Sequence, residues 1–256
     1  MTLAEPDPWQ GCTQWTPARI ALGRAGASVP THANLDFQRD HAQARDAVHA
    51  ALDVDALEAQ LQQERFIVVR AWSMARDRRE YLCRPDLGRS IAPECIDRLN
   101  RSEQAQGLLT VVVADGLSSI AAETNAVALL KSLREGLWGW VLDDVVIATQ
   151  ARVALGDAIG ELRRAEAVLM LVGERPGLSS PDSLGAYLTY QPRVGRMDAE
   201  RNCVSNIRPG GLAVEEAARR LIRLLNGARA LKASGVVLKD TVGVDSLAAS
   251  RRSFRV

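Results

Sequence analysis

The residues best suited by type and spacing to do chemistry lie in one segment, Gly173 to Ile207, which reads GERPGLSSPDSLGAYLTYQPRVGRMDAERNCVSNI. It offers a carboxylate at Glu174, hydroxyls at Ser179, Ser180 and Ser183 near Asp182, and a thiol at Cys203. Serines beside a carboxylate suggest hydrolysis, but that chemistry needs a base and a strained turn. No histidine follows His49 and no G-x-S-x-G elbow is present, so a serine-hydrolase reading fails. The segment directly follows an apolar run, Ala167 to Val172 (AVLMLV), that reads as a buried strand. Its own helix and strand signals are weak, so it reads as one long loop. Such loops inside compact domains are usually functional or disordered. Disordered stretches are poor in apolar and aromatic residues, whereas this one holds Leu178, Leu184, Tyr187, Leu188 and Tyr190. It is expected to pack against something at the end of a central strand, where open α/β sheets bind ligands.

Other candidates are weaker. Asp115 follows a strand, but an Asp in that place more often shapes the turn or caps the next helix. Cys12, Cys83, Cys95 and Cys203 include no C-x-x-C pair, which argues against a zinc ribbon or a thioredoxin-like redox motif. Neither DGLSS (115–119) nor GERPGL (173–178) contains a P-loop or a G-x-G-x-x-G fingerprint. No catalytic residue and no metal ligand is assigned.

The elements that must position these residues follow from pattern and composition. The 256 residues suit one large domain or two unequal ones. At 47% hydrophobic and only 4% aromatic residues, the core must be built mainly from Ala, Leu and Val. Thirty-two basic and 31 acidic residues nearly cancel, which leaves no electrostatic footprint for nucleic acid or an anionic membrane. Near-zero net charge favours association with another chain. The start, MTLAEPDPWQ, does not read as a secretory signal, and no apolar run approaches the roughly 18 residues of a membrane span. A soluble, intracellular protein is expected.

Along the chain, residues 1–15 read as a flexible tail and 16–65 as a helical N-terminal module. Within the module a short helix is capped by Thr16 with Pro17 next, a long one runs from about His32 to Leu52, and a third from about Asp53 to Glu64. Phe66 to Trp72 reads as a strand, 76–90 as a charged connection, and Ala92 to Arg101 as a helix. Leu108 to Ala114 is a strand, Asp115 to Ser118 a turn, and Ile120 to Leu137 a helix capped by Ser118 or Ser119. Val141 to Thr149 is a strand, Gly156 to Arg164 a helix, and Ala167 to Val172 the third central strand. Beyond the long loop, Ala213 to Leu231 is a helix and Val236 to Leu238 a short strand. Residues 66–240 thus form a Rossmann-like α/β domain, a mostly parallel sheet with helices on both faces, and 241–256 a polar tail.

Several segments carry a family resemblance: ARIALGRAG (18–26), RPDLGR (84–89), VVVADGLSS (111–119), RVALGDAIGE (152–161), VGERPGL (172–178), DSLGAY (182–187), AERNCVSNI (199–207) and ASGVVLK (233–239). In this order and spacing they resemble the small subunit of ethanolamine ammonia-lyase. The resemblance implies an adenosylcobalamin-dependent ammonia-lyase, a carbon–nitrogen lyase that converts ethanolamine to acetaldehyde and ammonia. It implies a TIM-barrel large subunit that carries the substrate and the radical chemistry, and a small subunit, inactive alone, that helps to enclose the cobalamin between the two. Six large and six small subunits are implied. The corrin-contacting positions implied are Val153, Glu174 and Cys203. Enterobacterial members carry a longer N-terminal leader, so the expected location is cytoplasmic, with a bacterial microcompartment as the alternative.

The residue chemistry is compatible with those roles. A corrin needs apolar faces and backbone partners, and the glycines of DGLSS and GERPGL would let backbone approach it closely. Val153 can give apolar or backbone contact, though a strand-end valine is ordinarily core. Glu174 can accept from corrin amides, or pair with Arg175 or Arg201. Cys203 can pack on the corrin rim, or be a small buried hydrophobe. A D-x-H-x-x-G motif, which would replace the lower base of cobalamin, is not formed by His32, His41 or His49, so base-on binding is expected. Arg84, Arg89 and Arg208 can meet acidic surface on the large subunit or remain solvated. Two rival functions stay open: a purely structural partner subunit, and a stand-alone α/β enzyme acting on a phosphorylated small molecule.

Overall fold

Apolar runs bounded by turn residues become the central strands. The structure, a computed structural model, describes residues 7–16, 18–103 and 105–240. The polar tail 241–256, the first six residues of the expected N-terminal tail and Pro17 lie outside the described residues. Helices α1 (Thr31–His49) and α2 (Val54–Gln63) come first, followed by β1 (Val68–Trp72), α3 (Arg78–Cys83) and α4 (Pro93–Leu99). Then come β2 (Leu108–Ala114), α5 (Ser119–Gly136), β3 (Val141–Leu142), β4 (Val145–Thr149), α6 (Val153–Leu162) and β5 (Ala167–Gly173). Strands β6 (Leu184–Tyr190) and β7 (Arg201–Ile207) and helix α7 (Val214–Leu231) complete the fold.

The strands form one sheet in the order β1-β4-β2-β5-β6-β7, with β3 beside β2. Strands β1, β4, β2 and β5 are parallel neighbours, whereas β5–β6 and β6–β7 are antiparallel. The chain moves one way across the sheet through α4 and α6 and back through α5. Right-handed crossovers therefore put α5 on one face and α4 and α6 on the other. Two apolar layers result. Leu129, Leu133, Leu221 and Leu225 pack on Val111, Leu169 and Leu171, and Leu57 and Leu61 of α2 join this layer. Cys95, Leu99, Leu155 and Ile159 pack on Val112, Val146 and Met170. Strands β2 and β5 are buried along their whole length, as expected for parallel strands covered on both faces.

Several expectations need correction. The segment after β5 is not one loop, because it returns as the antiparallel pair β6–β7 and makes the sheet mixed. The strand expected over Val141–Thr149 is broken at Asp143 and Asp144. The side chain of Asp143 turns inward to Arg163 (2.5 Å) and Thr110 (2.8 Å). The connection 76–90 holds α3, capped by Asp77, whose side chain accepts from the Glu80 amide, and a 3-10 turn over Leu87–Arg89. Among the described residues no helix follows Thr16; a 3-10 helix, Gln10–Trp15, precedes it inside the expected tail. Gly235–Val237 is a 3-10 turn and not a strand.

Candidate functional site

The carboxyl ends of β2, β4 and β5 converge on a cleft of about 490 Å³. Strands β2 and β4 lie side by side, yet the helices that follow them, α5 and α6, lie on opposite faces, so their loops diverge. Such a switch point leaves a crevice at the strand ends. Leu117, Val153, Val172 and Tyr187 give its apolar walls, and Arg152 and Glu174 its charged lip.

The loops around the cleft are tied to each other. Asp115 is buried, 3% exposed, and accepts from the amides of Gly116 (2.9 Å), Gln150 (2.9 Å) and Ala151 (3.1 Å). Arg78 adds a contact at 3.3 Å. Burial pushes the Asp115 carboxyl above the ordinary range, while these donors pull it back. Its lone pairs are taken by backbone, so it ties the β2 turn to the end of β4, in keeping with its expected turn role. Ser118 caps α5 by accepting from Ala121, and its hydroxyl donates to the Pro181 carbonyl at 2.6 Å. Gly116 (φ +52°) and Gly173 face each other, and a Cβ on either would overlap the backbone of the other loop. The sequence suggested that these glycines admit a ligand; instead they let two loops interlock, with the Leu117 amide donating to the Gly173 carbonyl at 2.9 Å.

Val153 and Glu174 line this cleft together. Val153 is half-buried at the first position of α6, not a strand-end core residue. Glu174 has no ion pair to Arg175 or Arg201 among the described residues; it accepts from the Ser183 hydroxyl (2.5 Å) and the Asn206 amide (3.1 Å). Arg201 is committed to Asp157 and Asp198. Cys203 is not in the cleft wall. It lies opposite Tyr187 in the β6–β7 ladder, and Tyr187 is in the wall. The residue is exposed, and desolvation raises its thiol, partly offset by the neighbouring Tyr187 hydroxyl. The structure thus brings Val153 and Glu174 into one site and sets Cys203 one strand away, behind Tyr187.

Tyr187, Tyr81 and Arg152 were missed as site residues. Tyr187 carried a readable signal, an aromatic in the alternating LGAYLTY. The role of Tyr81 depends on contacts with Ala151 and Arg152, about 70 residues away. Of the three arginines singled out for a partner surface, Arg84 pairs with Asp86 (2.6 Å), Arg208 donates to Asn206 Oδ1 (2.8 Å), and Arg89 is exposed.

The described residues thus define a mixed α/β protein with a cleft at the carboxyl ends of its parallel strands. Comparison with known families specifies it. The model "Ethanolamine ammonia-lyase light chain (EutC)" matches residues 6–239, and the chain belongs to that family. Relatives named "Ethanolamine ammonia-lyase small subunit" include one from Xanthomonas campestris, 53% identical over 244 residues (93% of this chain, 90% of the relative). Another, from Azotobacter vinelandii, is 51% identical over 249 residues (95% and 92%). A third, from Ralstonia nicotianae, is 48% identical over 253 residues (97% and 94%).

Proposed function

We propose that this chain is the small subunit of an adenosylcobalamin-dependent ethanolamine ammonia-lyase, that residues 66–240 form its cobalamin-binding domain beside the 16–65 helical module, and that it acts with a large subunit, six of each. The observation that carries this reading is the shared cleft of Val153 and Glu174, with Cys203 adjacent, in a chain of the light-chain family. The residues present suit one side of an amide-fringed macrocycle. Leu117, Val153 and Tyr187 offer apolar surface, Glu174 Oε1 offers an acceptor, and the α6 amino end offers N–H donors. A cleft of about 490 Å³ receives one edge of so large a ligand, which supports a site completed by a second polypeptide.

The radical chemistry is supplied by adenosylcobalamin when bound. This chain binds and orients. Val153 and Tyr187 exclude water from one edge, Glu174 fixes an amide, and Cys203 packs beside Tyr187. The histidines His32, His41 and His49 all lie on α1 and none is among the residues that line the cleft, which supports base-on binding.

The test is co-expression with the large subunit and an adenosylcobalamin-dependent acetaldehyde assay, with and without this chain. Activity is expected only from the pair. Full activity of the large subunit alone would refute the proposal, as would deamination by this chain alone.

A further inference from the structure

Among the described residues the buried arginines Arg163 and Arg201 meet Asp143 and Asp157, and the half-buried Arg78 meets Asp115. Arg152, at the cleft, has no acidic partner among the described residues. Its guanidinium donates once, from Nη2 to the Tyr81 carbonyl oxygen at 3.3 Å, and its buried Nε has no acceptor. The side chain is nevertheless held in place. It stacks over the ring of Tyr81 at 4.3 Å. Tyr81 is itself fully buried and donates its hydroxyl to the Ala151 carbonyl at 3.1 Å. Gly88 admits the Arg152 stem, since a Cβ there would stand 2.9 Å from Arg152 Cγ. The Arg152 amide donates to the Gly88 carbonyl at 2.8 Å.

An arginine clamped along its stem and left without a counter-charge is pre-organised for an anion from outside the chain. Nearby carboxylates do not fill that role. Asp115 is occupied by three amides and Arg78, and Glu174 Oε2 by Ser183 and Asn206. On the same lip, Arg175 is exposed and also lacks an acidic partner among the described residues.

We propose that Arg152 is an anion-binding residue of the cleft and takes the phosphodiester of the bound corrinoid. This rests on the cobalamin reading above. The phosphodiester is the one anionic group of cobalamin, and the guanidinium fork fits two phosphate oxygens. The neutral fringe amides are left to Glu174 and to backbone.

The test uses the two-subunit complex and equilibrium dialysis with two probes: cyanocobalamin, and dicyanocobinamide, which lacks the phosphate, ribose and base. Arg152→Met keeps an unbranched stem over Tyr81 and removes the charge; Arg152→Lys restores the charge without the fork. Arg152→Met is expected to weaken cyanocobalamin binding about ten- to hundredfold, Arg152→Lys less, and neither to change cobinamide binding. Equal weakening of both corrinoids would overturn the proposal, because Arg152 would then support the cleft or meet an acidic group of the partner. Unchanged cyanocobalamin affinity in Arg152→Met would overturn it as well. A wild-type complex that binds neither corrinoid would instead refute the cobalamin reading itself.

Discussion

Gly173 lies directly against Ser118: a methyl group on its Cα would overlap the Ser118 carbonyl oxygen. One strand end is thereby packed tightly against the turn that starts α5. The same contact holds the turn that Asp115 fastens to the end of β4.

Substituting Gly173 by Ala therefore acts on the scaffold. Forcing a methyl into packed backbone costs about 1–3 kcal/mol, or several degrees of Tm for a chain of this size. Thermal unfolding monitored by circular dichroism should show the drop. An unshifted Tm would mean that the loops are not interlocked.

Glu174 can be separated into its structural and ligand roles. Glu174→Gln keeps a carbonyl acceptor for Ser183 and Asn206, and stability should fall little. Glu174→Ala strands the buried Ser183 hydroxyl and should cost about 1–2 kcal/mol. If Glu174 also fixes a corrin amide, the Ala variant of the assembled complex should bind cyanocobalamin about tenfold more weakly. Equal affinity in an intact complex would leave Glu174 with structural work only.

The Cys203 thiol is raised by desolvation, so little thiolate forms near neutral pH and nucleophilicity is low. Alkylation by iodoacetamide at pH 8, followed by mass spectrometry of the Cys203 peptide, should run slower than for an unhindered peptide thiol. Added cyanocobalamin should slow it further in the complex. Rapid alkylation that ignores the corrinoid would remove Cys203 from the site.

Asp143 sets an acid limit on stability. Desolvation pushes its carboxyl up, but Arg163 and Thr110 outweigh it, and the net shift is downward. A folded value below the unfolded one stabilises the protein above the ordinary Asp range, and that stabilisation is lost as the pH falls through the folded value. Asp143→Asn should cost about 3 kcal/mol at neutral pH by leaving Arg163 under-compensated. The gap to wild type should narrow below about pH 4. Denaturant midpoints measured from pH 7 to pH 3 check this; a constant gap would contradict it.

Much of the scaffold could be read residue by residue. The run Leu108–Ala114 is wholly apolar apart from Thr110, and it is a strand with those bounds. Ser118 announced the start of α5 by its capping side chain, whereas Asp53, expected as the first residue of α2, is its cap. Strand β6 was missed although Leu184, Ala186, Leu188 and Tyr190 alternate toward the α5–α7 layer, because Pro181 and Ser183 precede it and Pro192 and Gly195 follow it. Strand β7 had no such alternation to find. Its buried residues are Arg201, Val204 and Ile207, spaced by three: Arg201 is buried on its ion pair with Asp157, and between Val204 and Ile207 the ladder to β6 slips by one residue, with Asn206 at a positive φ of 59°. A two-residue period does not survive a bulge.

Local chemistry was enough to establish the α/β class, the central strands and the family, since strand burial, helix caps and motif spacing are properties of short stretches of chain. Which side chains share the cleft was decided by folding. Tyr81, the adjacent pair Arg152 and Val153, and Glu174 come from three separate segments. They meet only because crossovers on opposite faces open a crevice between neighbouring strand ends. Whether an arginine there finds an acid partner depends on that meeting, and no spacing along the chain records it.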